Sequence, residues 1–171
     1  MIQTKVTVNG TDFLFQPAND GMPISTWYSH KFKRSAVCYE LAVSIQSGDI
    51  VWLSGPYRAG SHADITIFRT SGLKEMLLEA DEQAVADKGY RGEPLTIALP
   101  GSGETEEEEE AMARARMRHE TCNKRFKNFA CMTMPFRHGL GMHYDCMHAI
   151  VVLTQLEIEN GHPLFDAAFM H

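Results

Sequence analysis

The sequence predicts an α/β protein in which a mixed sheet is flanked by helices, and three segments carry that prediction. In Val37–Ile45 every odd position is apolar (Val37, Tyr39, Leu41, Val43, Ile45), with Glu40 and Ser44 on the other face, the period-two pattern of a strand. Met112, Ala115, His119, Cys122, Phe126 and Phe129 recur at spacings of 3, 4, 3, 4 and 3, the stripe of an amphipathic helix. Between them, Ala84-Val85-Ala86 is a short apolar run ending at Asp87-Lys88-Gly89-Tyr90, a buried strand followed by a turn. Strand, hairpin, helix, strand and then long helices is the order of a layered sheet in which a hairpin precedes the first crossover.

The remaining elements fall around these. Lys5–Asn9 reads as a strand that breaks at Gly10, with Phe13 and Phe15 a brief resumption. Residues 17–23 hold Asn, Asp, Gly and two prolines, which is loop composition. Gln46-Ser47-Gly48-Asp49 is a turn joining Val37–Ile45 to a second strand, Ile50–Leu53, so the two form a hairpin. Asp64 opens a helical pattern through Ile65, Phe68, Leu73 and Leu77, and Leu95–Leu99 fits a further short strand. Residues 100–110 are a Gly/Glu loop whose Glu run starts the next helix, where negative charge suits the positive end of the dipole. The last helix runs from about His143 to Glu159 and stops at Asn160-Gly161, with Pro163 beyond.

At 171 residues the chain is the size of one domain, read here as a single unit over 1–171. Hydrophobic residues at 44% and charged residues at 22% exclude wholesale disorder. The longest apolar run, Ala149–Leu153, is far below the roughly 18 residues of a membrane span, so no membrane association is expected. Met1-Ile-Gln-Thr-Lys-Val has no apolar leader, and the four cysteines form no Cys-x-x-Cys. Both point to reduced thiols in an intracellular protein. The net charge of −6 resides in one place, because Glu104 and Glu106–Glu110 are six acids in a single run. The rest of the chain is neutral, so the acidic total does not exclude nucleic acid as a partner.

Two carboxylates stand where chemistry is commonly placed. Asp87 ends the short apolar strand, and Glu120 sits one step, about 100°, from the apolar stripe at His119. An acid at a strand end and an acid on a packed helix can hold a hard divalent cation through oxygen ligands. Blander roles are open for both: Asp87 as a turn residue, Glu120 as the i,i+4 partner of Lys124. Asp64 reads as a helix N-cap. His138, His143 and His148 are five apart and scatter around a helix, which disfavours zinc. His119-Glu120-Thr121-Cys122-Asn123 lacks the second histidine of a metalloprotease helix.

Taken in order, several stretches resemble the DDE superfamily of endonucleases, and specifically the catalytic domain of Harbinger (PIF)-type transposases. They are Val8-Asn9-Gly10-Thr11, Ala59-Gly60-Ser61 with Asp64 and Ile67-Phe68-Arg69, Ala86-Asp87-Lys88-Gly89-Tyr90, His119-Glu120 with Asn123-Lys124-Arg125-Phe126-Lys127, and Phe136-Arg137-His138. The resemblance implies a ribonuclease-H-like fold in which three carboxylates hold two Mg2+ or Mn2+ ions for phosphodiester cleavage and strand transfer on DNA. Two such cations stabilise the attacking and the leaving oxygen together. Asp87 and Glu120 match the second and third acids, and Arg125 and Lys127 are candidate phosphate contacts.

The chain departs from that pattern at the first acid, which is Asn9 here. A carboxamide keeps one acceptor oxygen but loses the charge and adds an amine that cannot ligate. Asp12, three residues along a strand, faces the opposite side and is a poor substitute. His62 is displaced by one from its place before Asp64, because Ala63 intervenes. The resemblance therefore implies a metal site at Asp87, Glu120 and Asn9 that is weakened, in an endonuclease of transposase origin that is impaired, or alternatively in an inactive interaction protein derived from one. Because the chain opens on the first catalytic strand, a separate DNA-binding partner protein is expected to find the target. Weak, salt-sensitive DNA binding is expected through Arg114, Arg116, Arg118, Lys124, Arg125 and Lys127, in the nucleus if the host is eukaryotic.

Overall fold

A computed structural model describes residues 3–18 and 21–165. Met1 and Ile2, Asn19 and Asp20 of the loop expected over 17–23, and residues 166–171 lie outside it. The elements are β1 (Gln3–Leu14), β2 (Tyr28–Ser29), β3 (Arg34–Ser44), β4 (Ile50–Arg58), α1 (Asp64–Thr70), α2 (Leu73–Ala80), β5 (Glu82–Val85), β6 (Ile97–Ala98), α3 (Glu106–Phe126), α4 (Ala130–Thr133) and α5 (Gly139–Glu159). They build a mixed six-stranded sheet flanked by helices. β1 is antiparallel to β3 and parallel to β5, β6 continues parallel from β5, and β4 lies antiparallel against β3.

The sheet is covered on both faces. Phe13, Tyr39, Leu41, Phe126 and Met147 meet in one apolar layer beneath α3 and α5. Val8, Ala42, Phe68, Leu77 and Tyr90 meet in another beneath α1 and α2. The alternation of β3 thus sorts residues between two cores, and Glu40, on the face opposite Tyr39, is fully buried. The predicted hairpin is present, with Gly48 at φ +80° in its turn.

Several predicted boundaries move: α5 starts at Gly139 and not near His143, β4 runs on to Arg58, and three further shifts bear on the site. β1 does not break at Gly10: the glycine stays extended and pairs with Glu40, so Lys5–Asn9 and the Phe13 segment are one strand. The single helical pattern opened by Asp64 divides into α1 and α2, because Gly72 at φ +100° takes a left-handed backbone that ends one helix and starts the next. Asp64 is not the N-cap. That position is Ala63, and Asp64 is the first helical residue. At α3 the Glu run does start the helix. Thr105 Oγ1 caps the Glu108 amide at 3.2 Å, and Glu109 Oε1 accepts the Gly101 and Gly103 amides.

Two of the basic residues expected to face DNA are structural instead. Arg118 is buried, and its guanidinium donates to the Ser44, Ile45 and Phe165 carbonyls, tying α3 to the end of β3. Arg125 donates to the carbonyls of His162 (2.6 Å) and Pro163 (3.1 Å), which clamps the segment after α5. At 100° per residue, Arg114, Arg118 and Arg125 lie on the flank of α3 away from Glu120. Arg118→Leu should lower stability by roughly 2–4 kcal/mol, because buried carbonyls lose a charged donor. Urea unfolding measures this. An unchanged midpoint would mean that Arg118 holds nothing in place.

Candidate functional site

The site begins with a gap in the sheet. β1 pairs with β5 only from Gln3 to Thr7. At its far end it meets the backbone of Phe136, which donates to Leu14 O and accepts from Gln16 N. The expected Phe136-Arg137-His138 motif therefore closes the far side of the gap. Between these partners, no described strand borders β1 on that edge. A cleft of about 390 Å³ opens there, and Asn9, Asp12, Asp64, Asp87 and Glu120 all line it.

Asn9 faces α3. Its Nδ2 donates to Glu120 Oε1 at 3.1 Å. One residue earlier on the helix, His119 is buried and its Nδ1 lies 2.7 Å from Thr7 Oγ1. The Thr7 hydroxyl donates to Val43 O, so the imidazole carries its proton on Nδ1 and donates to the hydroxyl. Burial pushes His119 down to about 4, which keeps it neutral. This bond seats α3 on β1 and brings Glu120 over Asn9. Among the described residues Glu120 makes no ion pair with Lys124.

The other wall is built around two glycines. A Cβ on Gly10 would stand 2.2 Å from Asp64 Oδ1, so only glycine lets the start of α1 sit over β1. A Cβ on Gly89 would meet Asp87 Oδ1 at 2.9 Å and Asp64 Oδ2 at 3.3 Å, which puts the two carboxylates within about 6 Å of each other. Asp87 Oδ1 accepts the Gly89 amide at 2.7 Å, so Asp87 serves the turn as well as facing the cleft. Burial, then the charges of Asp87 and Asp12, raise Asp64 to about 6, with Lys31 opposing. A crowded, desolvated carboxylate of this kind is relieved by a proton or a cation.

Asp12 is on the opposite face from Asn9, as its position in the strand requires, yet it lines the same cleft because the unpartnered edge opens both faces. It accepts from Ser29 Oγ at 2.5 Å. Cys38 also borders the cleft, and burial, with Asp12 and Asp64 nearby, pushes its thiol well above the usual range. The histidines go separate ways: His143 is buried against Tyr39 Oη at 2.9 Å and neutral, pushed down to about 4 by burial, whereas His138 is exposed.

The structure thus brings Asn9, Asp87 and Glu120 to one cleft, where the three also line a small cavity of about 80 Å³ with Arg116, and it adds Asp64 beside Asp87. No group of three or more His, Cys, Asp or Glu side chains among the described residues is arranged to hold a metal ion. Reading the sequence missed Asp64 as a wall of the cleft and missed the basic rim at His30–Arg34. The second was visible as a charge run: four of these five residues are Lys, Arg or His.

A sheet gap floored with carboxylates and edged with lysines can hold a cation beside an anionic substrate. The family model for DDE superfamily endonucleases matches residues 8–155, and the chain belongs to that family. It is a family of transposase-type nucleases that act on DNA and generally depend on a divalent metal. No curated protein and no solved structure matches the chain significantly. Among the described residues no helix is long and apolar enough to cross a membrane.

Behind the cleft, Glu40 pairs across the sheet with Gly10 and accepts from Ser71 Oγ (2.7 Å) and Trp52 Nε1 (3.1 Å). Burial raises it to about 7 despite those bonds, and Asp64 adds to the rise. A raised carboxyl favours the fold while protonated, and that contribution is lost as pH climbs from the unfolded value of 4.5 through 7. Between pH 5 and 8 the protein should therefore lose roughly 2.5 kcal/mol relative to Glu40→Gln, which keeps an acceptor for both donors. Denaturation midpoints across that range measure it. A constant difference would show that Glu40 is already ionised at pH 5 and that burial does not raise it.

Proposed function

We propose that the chain is a ribonuclease-H-like nuclease domain of transposase origin, of Harbinger type, whose metal chemistry is impaired at Asn9. The fold part of the reading rests on the central β1, the antiparallel run through β3 and β4 on one side, and the parallel β5 and β6 on the other. The Harbinger part rests on the order of Ala59-Gly60-Ser61 with Asp64, Ala86-Asp87-Lys88-Gly89-Tyr90 and His119-Glu120 along the chain.

The observation that carries the functional reading is the Asn9–Glu120 hydrogen bond. An acid at position 9 would set two carboxylates about 3 Å apart, an arrangement that only a proton or a cation between them tolerates. The carboxamide substitutes a donor for that cation and satisfies Glu120 without one. The residues that remain fit one hard cation at Asp64 and Asp87, with Glu120 at its margin, and not the pair that Asp87, Glu120 and a first acid would hold. Mg2+ or Mn2+ bound there would supply positive charge to a DNA phosphate. Asp87 and Glu120 are the family-matched acids, Asn9 holds Glu120 in place, and Lys127 lies close enough to Glu120 and Asp12 to feel both charges and to meet the phosphate. The same hydrogen bond favours a second reading, a non-catalytic protein that keeps DNA or protein contacts and has lost cleavage.

Asn9→Asp separates the two. It is nearly isosteric, should lower apo stability through carboxylate repulsion, and should tighten Mn2+ binding about tenfold or more, as ligand charge count dictates. Calorimetric titration of the wild type, Asn9→Asp and Asp87→Ala, with plasmid nicking as the second readout, tests this. Tighter metal with restored nicking supports the impaired nuclease, and tighter metal without nicking supports the non-catalytic protein. Equal affinity in all three proteins would mean that these residues do not form one site.

A further inference from the structure

The turn between β2 and β3, His30–Lys33, together with Arg34 at the start of β3, is the most basic exposed stretch at the cleft. His30, Lys31, Lys33 and Arg34 are all exposed, and among the described residues none of them forms an ion pair. The turn is held in place. Ser29 Oγ donates to Asp12 Oδ2 and accepts the Phe32 amide at 3.2 Å, while the Lys33 amide donates to Ser29 O at 2.8 Å. Asp12, an acid of the cleft, is thus spent on folding the turn. Lys33 sits at φ +57°, a left-handed conformation that a lysine seldom adopts and that the surrounding bonds must enforce.

The turn also reaches inward. Lys31 and His30 line the acid cleft beside Asp64 and Asp12. Phe32 lies under Lys127, whose Nζ is 5.7 Å from the ring centroid, so the turn and α3 support each other across the mouth. Lys31 and Lys127 are near enough to repel, which helps hold the Lys127 ammonium below its ordinary value after burial. Two cations kept together above a carboxylate floor want an anion between them. A DNA backbone presents one charge for roughly every 3.4 Å of axis along each strand.

We propose that the 29–34 turn, with Lys127, is the surface by which this protein grips the DNA backbone beside the acid cleft, in place of Arg114 and Lys124 on the outer side of α3. The proposal rests on the nuclease-fold reading above. Lys31 and Lys33 take phosphates next to the one that faces the acids. Contact is to the backbone and indifferent to base sequence. It needs no metal, because the charges that make it are on the turn.

The test compares two double variants that remove equal charge. Lys31→Gln/Lys33→Asn acts on the turn, with asparagine chosen because it accepts a left-handed backbone. Arg114→Gln/Lys124→Gln acts on the outer faces of α3. Binding of a fluorescent DNA duplex is followed by anisotropy in EDTA from 50 to 200 mM salt, with polyglutamate as a competing anion and thermal melts to check folding. The turn variant should bind roughly tenfold more weakly at 100 mM salt and lose about two units of salt slope, whereas the α3 variant changes less than twofold. Equal losses in both variants, or none in the turn variant, would overturn the proposal and leave the nuclease reading standing. Polyglutamate competing as well as unlabelled duplex would overturn the assignment to DNA in favour of an acidic protein partner. Wild-type protein that binds no duplex at low salt would overturn the DNA-acting part of the proposed function and this proposal together.

Discussion

Strand β1 outruns its parallel neighbour, and the site depends on that mismatch. β5 stops opposite Thr7, while β1 continues on β3 to Leu14. A backbone edge without a partner is a liability in a sheet. Here the start of α1, the Asp87 turn and the Glu120 flank of α3 converge on the opening. Had β5 been longer by a few residues, Asn9 and Asp12 would be packed against a strand, and no cleft would exist.

The electrostatics follow from that convergence. Three loops and helices each bring an acid, so charge accumulates where solvent is partly excluded, and Asp64 responds by holding its proton up to about pH 6. The protein relieves the crowding with its own groups. The Asn9 amide satisfies Glu120, the Gly89 amide satisfies one oxygen of Asp87, Ser29 satisfies Asp12, and Lys31 offsets Asp64. Each of these contacts stabilises the cleft without a bound ion. Each also reduces the attraction that remains for one. That is the physical content of the impairment proposed for this site, and it concerns the whole cleft as well as Asn9.

The basic residues obey a different constraint. A helix that packs one face has two flanks, and only one of them borders the cleft. Arg118 and Arg125 fall on the other flank, where backbone carbonyls at the end of β3 and beyond α5 converge, and their guanidinium forks bind several at once. Charge counted along the sequence assigned them to DNA. Their side of the helix assigns them to the fold.

Periodicity was enough to read the elements whose apolar residues repeat. β3, the hairpin to β4, the short β5, α3 and α5 follow from spacing, because burial on one face leaves a mark every two or every three to four residues. The pairing of Asp87 with a turn and the placing of Glu120 on the flank of a packed stripe were legible for the same reason. Position 10 was not, since a glycine reads as a break when the chain is seen alone. Only the packed structure shows that its missing Cβ makes room for Asp64. Asp64 itself looked like a cap because capping is local, whereas its neighbours Asp12 and Asp87 are distant in sequence and arrive through the sheet. The Asn9–Glu120 bond joins residues 111 positions apart. Local sequence determined the elements and their buried faces through backbone geometry; which polar groups meet was decided by tertiary packing, because their partners come from other elements.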